Sequence, residues 1–154
     1  MLITFDLDGV LMENPFSKGV FPEIKEILNR EYNKQIISKD ENESEEEIKT
    51  LIWQNILAEY KKYSAKNSYK AYDWDMIIEN VIDNFALKAN IDVACLVEKY
   101  CHAPYIKKYE DGVNLLKKLN NQNYKLKVIT NGYYKYQYPV LESLELSHYF
   151  SEIV

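Results

Sequence analysis

The sequence is poor in cysteine, glycine and proline, and each shortage argues against a class of protein. Two cysteines among 154 residues are too few for a disulfide-stabilised scaffold. Four glycines and four prolines are far fewer than collagen-like or low-complexity chains contain. Because disulfide scaffolds belong to oxidising compartments, the shortage of cysteine favours the reducing cytoplasm as the location of the protein.

Long apolar runs and an excess of positive charge are also lacking. No apolar stretch reaches the roughly 20 residues that cross a bilayer. The opening run from Met1 to Phe5 has no basic leader and meets Asp6, so we expect neither a membrane segment nor a signal peptide. The net charge is −5 at pH 7, with a sequence pI of about 5.2. Such an acidic balance gives no basic surface for phosphate backbones, and we expect no nucleic-acid partner.

The sequence does contain predicted strands that alternate with predicted helices. The hydrophobic fraction of 47% is enough for a core, and the length suits one domain with an insertion. Apolar runs predict buried strands at 2–6 and 124–130, with a third strand opening at 151–154. Helical spacing predicts an amphipathic helix over 110–119 and another through Val140. Strand, helix, strand, helix, strand is typical of a parallel α/β sheet.

The stretch between the first strand and this later pattern has helical periodicity. Pro22 suits the first turn of a helix, and Asp73 suits an N-cap. Ser44 and Glu47 have the spacing of a capping box. We therefore predict that a block of helices is inserted after the first strand.

Two carboxylates stand where the first strand ends. Asp6 is its last residue, Asp8 follows two positions later, and Gly9 allows a tight turn. Ligands of open α/β sheets bind beyond the carboxyl ends of strands, and two neighbouring carboxylates there are stabilised by a cation. A carboxylate can also serve as a nucleophile, with a second acid as proton donor and acceptor. The alternative is an ordinary strand followed by an Asp-Gly turn.

A second polar strand end supports the chemical interpretation. Thr130, Asn131 and Gly132 follow the apolar run of the second strand. A threonine hydroxyl and free backbone N–H groups at such a position can hold phosphate oxygens. Two polar strand ends, each followed by a helix, are less expected by chance than either one alone.

Other residues have weaker claims on function. The side chains that follow the loop carrying Asp6 and Asp8 are candidates for the lining of a substrate pocket: Met12, Asn14, Pro15 and Phe16. Cys101 and His102 could supply metal ligands, but structural zinc takes four ligands with tight pair spacing. We therefore interpret this pair as a buried thiol beside a surface histidine.

The stretch from Ile3 to Leu11 resembles the first motif of the haloacid dehalogenase-like superfamily, and Val128 to Gly132 resembles its second motif. The resemblance implies a parallel, Rossmann-like core formed by 1–20 and 105–154. It also implies that 21–104 form the helical cap of this superfamily.

The resemblance assigns a role to each motif residue. Asp6 would be the nucleophile and a magnesium ligand, and Asp8 the general acid and base, with its backbone carbonyl on the same Mg²⁺ ion. Thr130 would bind the phosphoryl group, with Asn131 beside it. The dehalogenases of the superfamily work without the second aspartate, so Asp8 favours a phosphohydrolase. The implied reaction is hydrolysis of a small phosphorylated metabolite, a phosphate monoester, through an aspartyl-phosphate; a phosphomutase is an alternative.

The third and fourth motifs of the superfamily, a basic residue and an acidic pair, have no counterpart here. The one lysine after Thr130 is Lys135, which lies too close to the second strand. We therefore expect an incomplete core, completed by further residues or by another chain, with low activity on its own. The first strand would have an open edge suited to self-association. A non-catalytic relative acting through a partner is the alternative.

Overall fold

The computed structural model describes residues 1–37 and 45–154. Chain packing divides it into two compact units, Met1–Gly19 together with Ala94–Val154, and Val20–Val93. The division into a core of 1–20 and 105–154 and a cap of 21–104 stays a prediction, and residues 94–104 pack with the first unit. The capping box predicted at Ser44 lies outside the described residues.

A three-stranded parallel sheet forms the centre of the first unit. Strand β1 spans Leu2–Phe5, β4 spans Lys125–Val128, and β5 spans Glu152–Ile153, in the order β1-β4-β5. Strand β1 pairs with β4 from Leu2 opposite Lys125 to Phe5 opposite Val128. Both strands therefore end at the same edge of the sheet. The predicted fold class, a parallel α/β core with inserted helices, is confirmed.

A small antiparallel sheet was missed by sequence reasoning. Strand β2, Met12–Glu13, pairs with β3, Lys107–Lys108, and joins the loop after β1 to the segment before the next helix. Each strand has two residues, too few for alternation of apolar and polar side chains to be recognised. This pairing fixes the far end of the loop that carries Asp8.

Helices cover the sheet of the first unit. Helix α4 spans Val93–Lys99, α5 spans Glu110–Asn121, and α6 spans Tyr134–Ser143. Their apolar faces, the strands and the loop after β1 supply the buried residues of this unit, among them Phe5, Leu7, Leu11, Val97, Val113, Leu116, Leu126, Val128, Tyr136, Val140 and Leu141. A π-helical turn, Phe16–Val20, follows β2, in the segment that Pro15 and Gly19 make irregular.

Helices make up the regular secondary structure of the second unit in its described part. Helix α1 spans Phe21–Ile37, α2 spans Glu45–Ser64, and α3 spans Trp74–Asn84. The predicted cap of α3 is confirmed, because the Asp73 side chain accepts a hydrogen bond from the Met76 N–H at 3.3 Å. Apolar residues at helical spacing are buried on all three helices, namely Ile24, Leu28, Ile48, Ile52, Ile56, Ile77, Ile78 and Val81.

Aromatic rings complete the packing of this unit. Phe21 lies edge-on to Trp74, with ring centroids 4.7 Å apart, and Tyr60 stacks on Trp74 at 5.6 Å. Trp53 packs against Phe21 at 5.6 Å. Among the described helices, none is long and apolar enough to span a membrane.

Gly112 gives the first testable prediction, because its lack of a side chain lets α5 approach the loop after β1. A Cβ at this position would lie 2.5 Å from the Val10 carbonyl oxygen and 3.0 Å from a Leu11 methyl group. Alanine normally favours a helix over glycine, but here it meets a backbone atom. We expect Gly112→Ala to lower the free energy of unfolding by about 1–3 kcal/mol, measured by urea titration.

The matched control for this prediction is Asn114→Ala, at an exposed position of the same helix. That substitution gains helix propensity without a clash and should raise stability slightly. A Gly112→Ala protein as stable as the control would show that the loop and helix do not approach as closely as described.

Candidate active site

The two polar strand ends meet at the carboxyl edge of the sheet. The Phe5 carbonyl oxygen accepts a hydrogen bond from the Ile129 N–H at 2.9 Å, which continues the pairing of β1 and β4 by one residue. Asp6 and Thr130 follow these two residues. The parallel sheet therefore brings the predicted nucleophile and the predicted phosphate-binding residue to one edge, although 124 positions (130 − 6) separate them in the sequence.

Asp6 is exposed at the start of the loop. Its Oδ1 accepts a hydrogen bond from the Leu7 N–H at 2.8 Å, which fixes the side chain relative to the backbone. Within residues 1–37 and 45–154, no other protein group bonds the Asp6 carboxylate. An exposed carboxylate with one fixed oxygen can approach a ligand that arrives from solvent.

The loop after Asp6 is a tight turn built around one carbonyl group. The Leu7 oxygen accepts the N–H groups of Val10, Leu11 and Met12 at 2.9–3.2 Å. Gly9 has a φ of +77°, a backbone conformation that glycine adopts without steric cost, and its N–H donates to Met12. Because Leu7, Leu11 and Met12 are fully buried, the loop is anchored to the core at both ends.

Asp8 is held by two side-chain amides. Asn14 donates from Nδ2 to its Oδ1 at 2.7 Å, and Gln137 donates from Nε2 to its Oδ2 at 2.9 Å. Asn14 is itself fixed, because its Oδ1 accepts the Phe16 N–H at 3.1 Å. Both carboxylate oxygens of this half-buried aspartate therefore have a neutral donor.

Gln137 was missed by sequence reasoning, although the sequence contains a signal for it. The residue lies on α6 on the same helical stripe as the buried residues Val140, Leu141 and Leu144. A polar side chain on an apolar stripe requires a buried hydrogen-bond partner. The sequence alone could not show that Asp8, 129 positions earlier, is that partner.

The turn after β4 differs in one respect from the prediction. Thr130 is half-buried, and its Oγ1 accepts the Gly132 N–H at 3.2 Å, while Asn131 is exposed. The Thr130 N–H donates to the Val154 carbonyl at 3.1 Å. The prediction of free backbone N–H groups is therefore wrong for Thr130 and Gly132, because the turn and the continuing strand pairing use both of them.

The residues after the loop do not form an open pocket lining. Met12, Pro15 and Phe16 are buried, and the Phe16 ring lies edge-on to Tyr136 with centroids 5.7 Å apart. Asn14 bonds Asp8. The interpretation of these residues as substrate contacts is therefore not supported, since three of the side chains are buried and the fourth bonds the Asp8 carboxylate.

The carboxylate and carbonyl oxygens at this edge of the sheet are of the type that binds Mg²⁺. Asp6 offers an exposed carboxylate, and Asp8 offers a backbone carbonyl, while each of its side-chain oxygens accepts one hydrogen bond. In proteins Mg²⁺ is commonly bound by one or two carboxylates, with water and substrate phosphate completing its shell. No group of three or more His, Cys, Asp or Glu side chains arranged for a metal occurs in the described part of the chain.

The Cys101–His102 pair has an ordinary environment. Cys101 is half-buried, and this burial raises the pKa of its thiol above the usual value, although a hydrogen bond with Ser143 acts in the opposite direction. The His102 ring nitrogen Nδ1 lies 2.8 Å from the Ala103 carbonyl oxygen. A raised thiol pKa disfavours the thiolate that a metal ion requires.

The sequence matches the family of haloacid dehalogenase-like hydrolases over residues 3–154, which is nearly its whole length. A parallel sheet with an aspartate at the end of its first strand fits this match. The chain belongs to the haloacid dehalogenase-like hydrolase family.

Solved structures extend the comparison. A HAD phosphatase from Thermococcus onnurineus is 25% identical, with a TM-score of 0.62, and the match covers 99% of this chain and 60% of that one. The L-2-haloacid dehalogenase from Xanthobacter autotrophicus is 14% identical, with a TM-score of 0.48, over 99% and 55% of the two chains. The chain thus spans less than two thirds of the length of both structures. Among curated proteins, none matches the sequence significantly.

Proposed function

We propose that this protein is a magnesium-dependent phosphohydrolase that cleaves a small phosphate monoester through an aspartyl-phosphate on Asp6. The observation that carries the proposal is the fixed carboxyl group of Asp8, two residues after the exposed Asp6. Transfer of the phosphoryl group from an alkyl ester to Asp6 releases an alkoxide that needs a proton donor, whereas displacement of a halide does not. The similarity to a phosphatase of Thermococcus onnurineus supports the same choice.

In the first step of this reaction, a carboxylate oxygen of Asp6 attacks the substrate phosphorus. The bond between phosphorus and the ester oxygen breaks, and Asp8 gives its proton to the departing alkoxide. An alcohol leaves, and the phosphoryl group is bonded to Asp6. In the second step Asp8 removes a proton from a water molecule, which attacks the phosphorus. The acyl-phosphate bond breaks, inorganic phosphate leaves, and the Asp6 carboxylate is restored.

Thr130 suits the role of a phosphate contact. Because its Oγ1 accepts the Gly132 N–H, the hydroxyl hydrogen is oriented away from that bond and can be donated to a phosphate oxygen. Asn131, exposed beside it, can add an amide donor. The Asp6 carboxylate and the Asp8 carbonyl would hold Mg²⁺, which when bound offsets phosphate charge so that an anionic nucleophile can approach.

The second prediction tests this function on the full-length gene product, because the core described here is expected to have low activity on its own. Purified protein is incubated with a panel of small phosphate monoesters and, separately, with 2-chloropropionate, each with added Mg²⁺ or with excess chelator. We expect phosphate release at ordinary enzyme rates of about 1–10³ per second for the best ester, abolished by the chelator. Chloride release without phosphate release, or phosphate release that is indifferent to the chelator, would contradict the proposal.

A further inference from the structure

Gln137 has an unused hydrogen-bonding atom next to the proposed proton donor. The side chain is buried, with 4% of its surface exposed, and its Nε2 donates to Asp8. Its Oε1 is also buried and has no hydrogen-bond partner among the residues that the structure describes. A buried carbonyl oxygen without a donor is unfavourable, and such an atom in a native protein calls for an explanation.

Gly132 provides the space that Gln137 occupies. A Cβ on Gly132 would lie 2.2 Å from Gln137 Nε2 and 2.9 Å from its Cδ, which is closer than atoms can approach. The side-chain amide therefore lies where any larger residue at 132 would place its first carbon. The absence of a side chain at Gly132 is thus required by the contact between Gln137 and Asp8.

The two amides that hold Asp8 differ in one property. Asn14 cannot turn without losing a bond, because its Oδ1 already accepts the Phe16 N–H. Gln137 Oε1 has no such bond within residues 1–37 and 45–154. Burying an amide with an unsatisfied oxygen costs free energy, so a contribution to stability does not explain the position of this side chain. The hydrogen bond from its Nε2 to Asp8 is what that position provides.

We propose that Gln137 is a positioning residue that fixes the orientation of the Asp8 carboxyl group through the hydrogen bond from its Nε2, and that Gly132 admits it to this position. The inference rests on the proposed function, in which Asp8 is the general acid and base. A carboxyl group held at both oxygens keeps one orientation relative to Asp6. Without Gln137, Asn14 alone would hold one oxygen, and the carboxyl group could rotate away.

Three variants test the proposal through turnover. Gln137→Met keeps the length of the side chain and removes both hydrogen-bonding groups. Gly132→Ala leaves Gln137 intact but displaces its flexible end. The matched control is Gln122→Met, at an exposed position after α5. We expect Gln137→Met to lower kcat by about 10- to 100-fold on an alkyl phosphate, with KM changed little, and the control to leave kcat unchanged.

Two patterns distinguish positioning of Asp8 from a general structural role. The loss in the rate of the first step, measured as the initial release of the alcohol or phenol, should be smaller for p-nitrophenyl phosphate, because its leaving group needs little protonation. The double variant with Gly132→Ala and Gln137→Met should be no slower than Gln137→Met alone, because both changes remove one contact. Equal losses in the first step for the two substrates in a fully folded protein, or additive losses, would overturn the proposal.

A nuclear magnetic resonance measurement separates this inference from the proposed function. The side-chain amide signal of Gln137 should move in Asp8→Ala and in Gly132→Ala, whereas the Gln122 signal should not. If the unmodified protein releases no phosphate, the proposed function fails, but the amide signal still shows whether the contact exists. A Gln137 signal that is unchanged in Asp8→Ala would refute the contact whatever the activity.

Discussion

Asp6→Asn is expected to abolish phosphate release, with a fall in kcat on the order of 10⁴-fold or more. A carboxamide is a poor nucleophile, so the phosphoryl group has no acceptor at the end of β1. The substitution should leave the fold intact. Asp6 is exposed, and the amide oxygen can still accept the Leu7 N–H as the carboxylate oxygen does. The effect should therefore appear in turnover and not in thermal stability.

The measurement for Asp6→Asn combines steady-state rates with a trap for the intermediate. Protein mixed with substrate and quenched in acid should carry a phosphoryl group that is visible by intact mass, and the variant should not. Asp83→Asn, an exposed residue of α3, is the matched control and should behave as the unmodified protein. An Asp6→Asn protein with near-normal turnover would show that another residue is the nucleophile.

The sheet of this protein could be predicted from its sequence because the information is local. The apolar runs at 2–6 and 124–130 correspond to Leu2–Phe5 and Lys125–Val128, and the helix predicted over 110–119 is Glu110–Asn121. Each of these elements carries its own periodicity, so no knowledge of its partner was needed. Since parallel strands end at one edge, the same patterns also placed Asp6 and Thr130 at that edge.

The contacts that hold the loop and the Asp8 carboxylate in place could not be predicted. They depend on distant parts of the chain or on the conformation of the loop. The pairing of Met12–Glu13 with Lys107–Lys108 joins segments separated by a helical block, and each strand is too short to carry a pattern. Asn14 was interpreted as a substrate contact, because its position after the loop said nothing about the direction of its amide. Its bond to Asp8 depends on the loop conformation that Gly9 and Leu7 create.

Helix α4 illustrates a boundary that periodicity cannot locate. Val93–Lys99 has the same helical spacing as the helices before it, so the sequence assigned it to the inserted block. In the structure, residues from Ala94 onward pack with the first unit. One such contact joins Gly19 and Tyr100, since a Cβ on Gly19 would lie 2.5 Å from the tyrosine ring. A periodic pattern shows which face of a helix is buried but not which unit buries it.

Asp8→Asn is expected to lower kcat by about 10²–10⁴-fold, the usual contribution of a positioned general acid and base. The surroundings of Asp8 predict that the protein stays folded. A carboxamide at position 8 can accept the Asn14 donor with its oxygen, while its own NH₂ group faces Gln137. Because Gln137 Oε1 bonds no group within the described part of the chain, the Gln137 amide can turn and accept that hydrogen bond.

The test of Asp8→Asn compares substrates by their leaving groups. An alkyl phosphate departs as a strongly basic alkoxide and depends on the acid, whereas p-nitrophenolate departs without much help. The second step, in which water attacks the phosphoryl group on Asp6, needs the base for both substrates. We therefore expect slow turnover with either ester, a fast initial release of p-nitrophenol, and accumulation of the phosphorylated protein. Equal slowing of the first step for both esters, with no accumulation, would show that Asp8 does not transfer the proton.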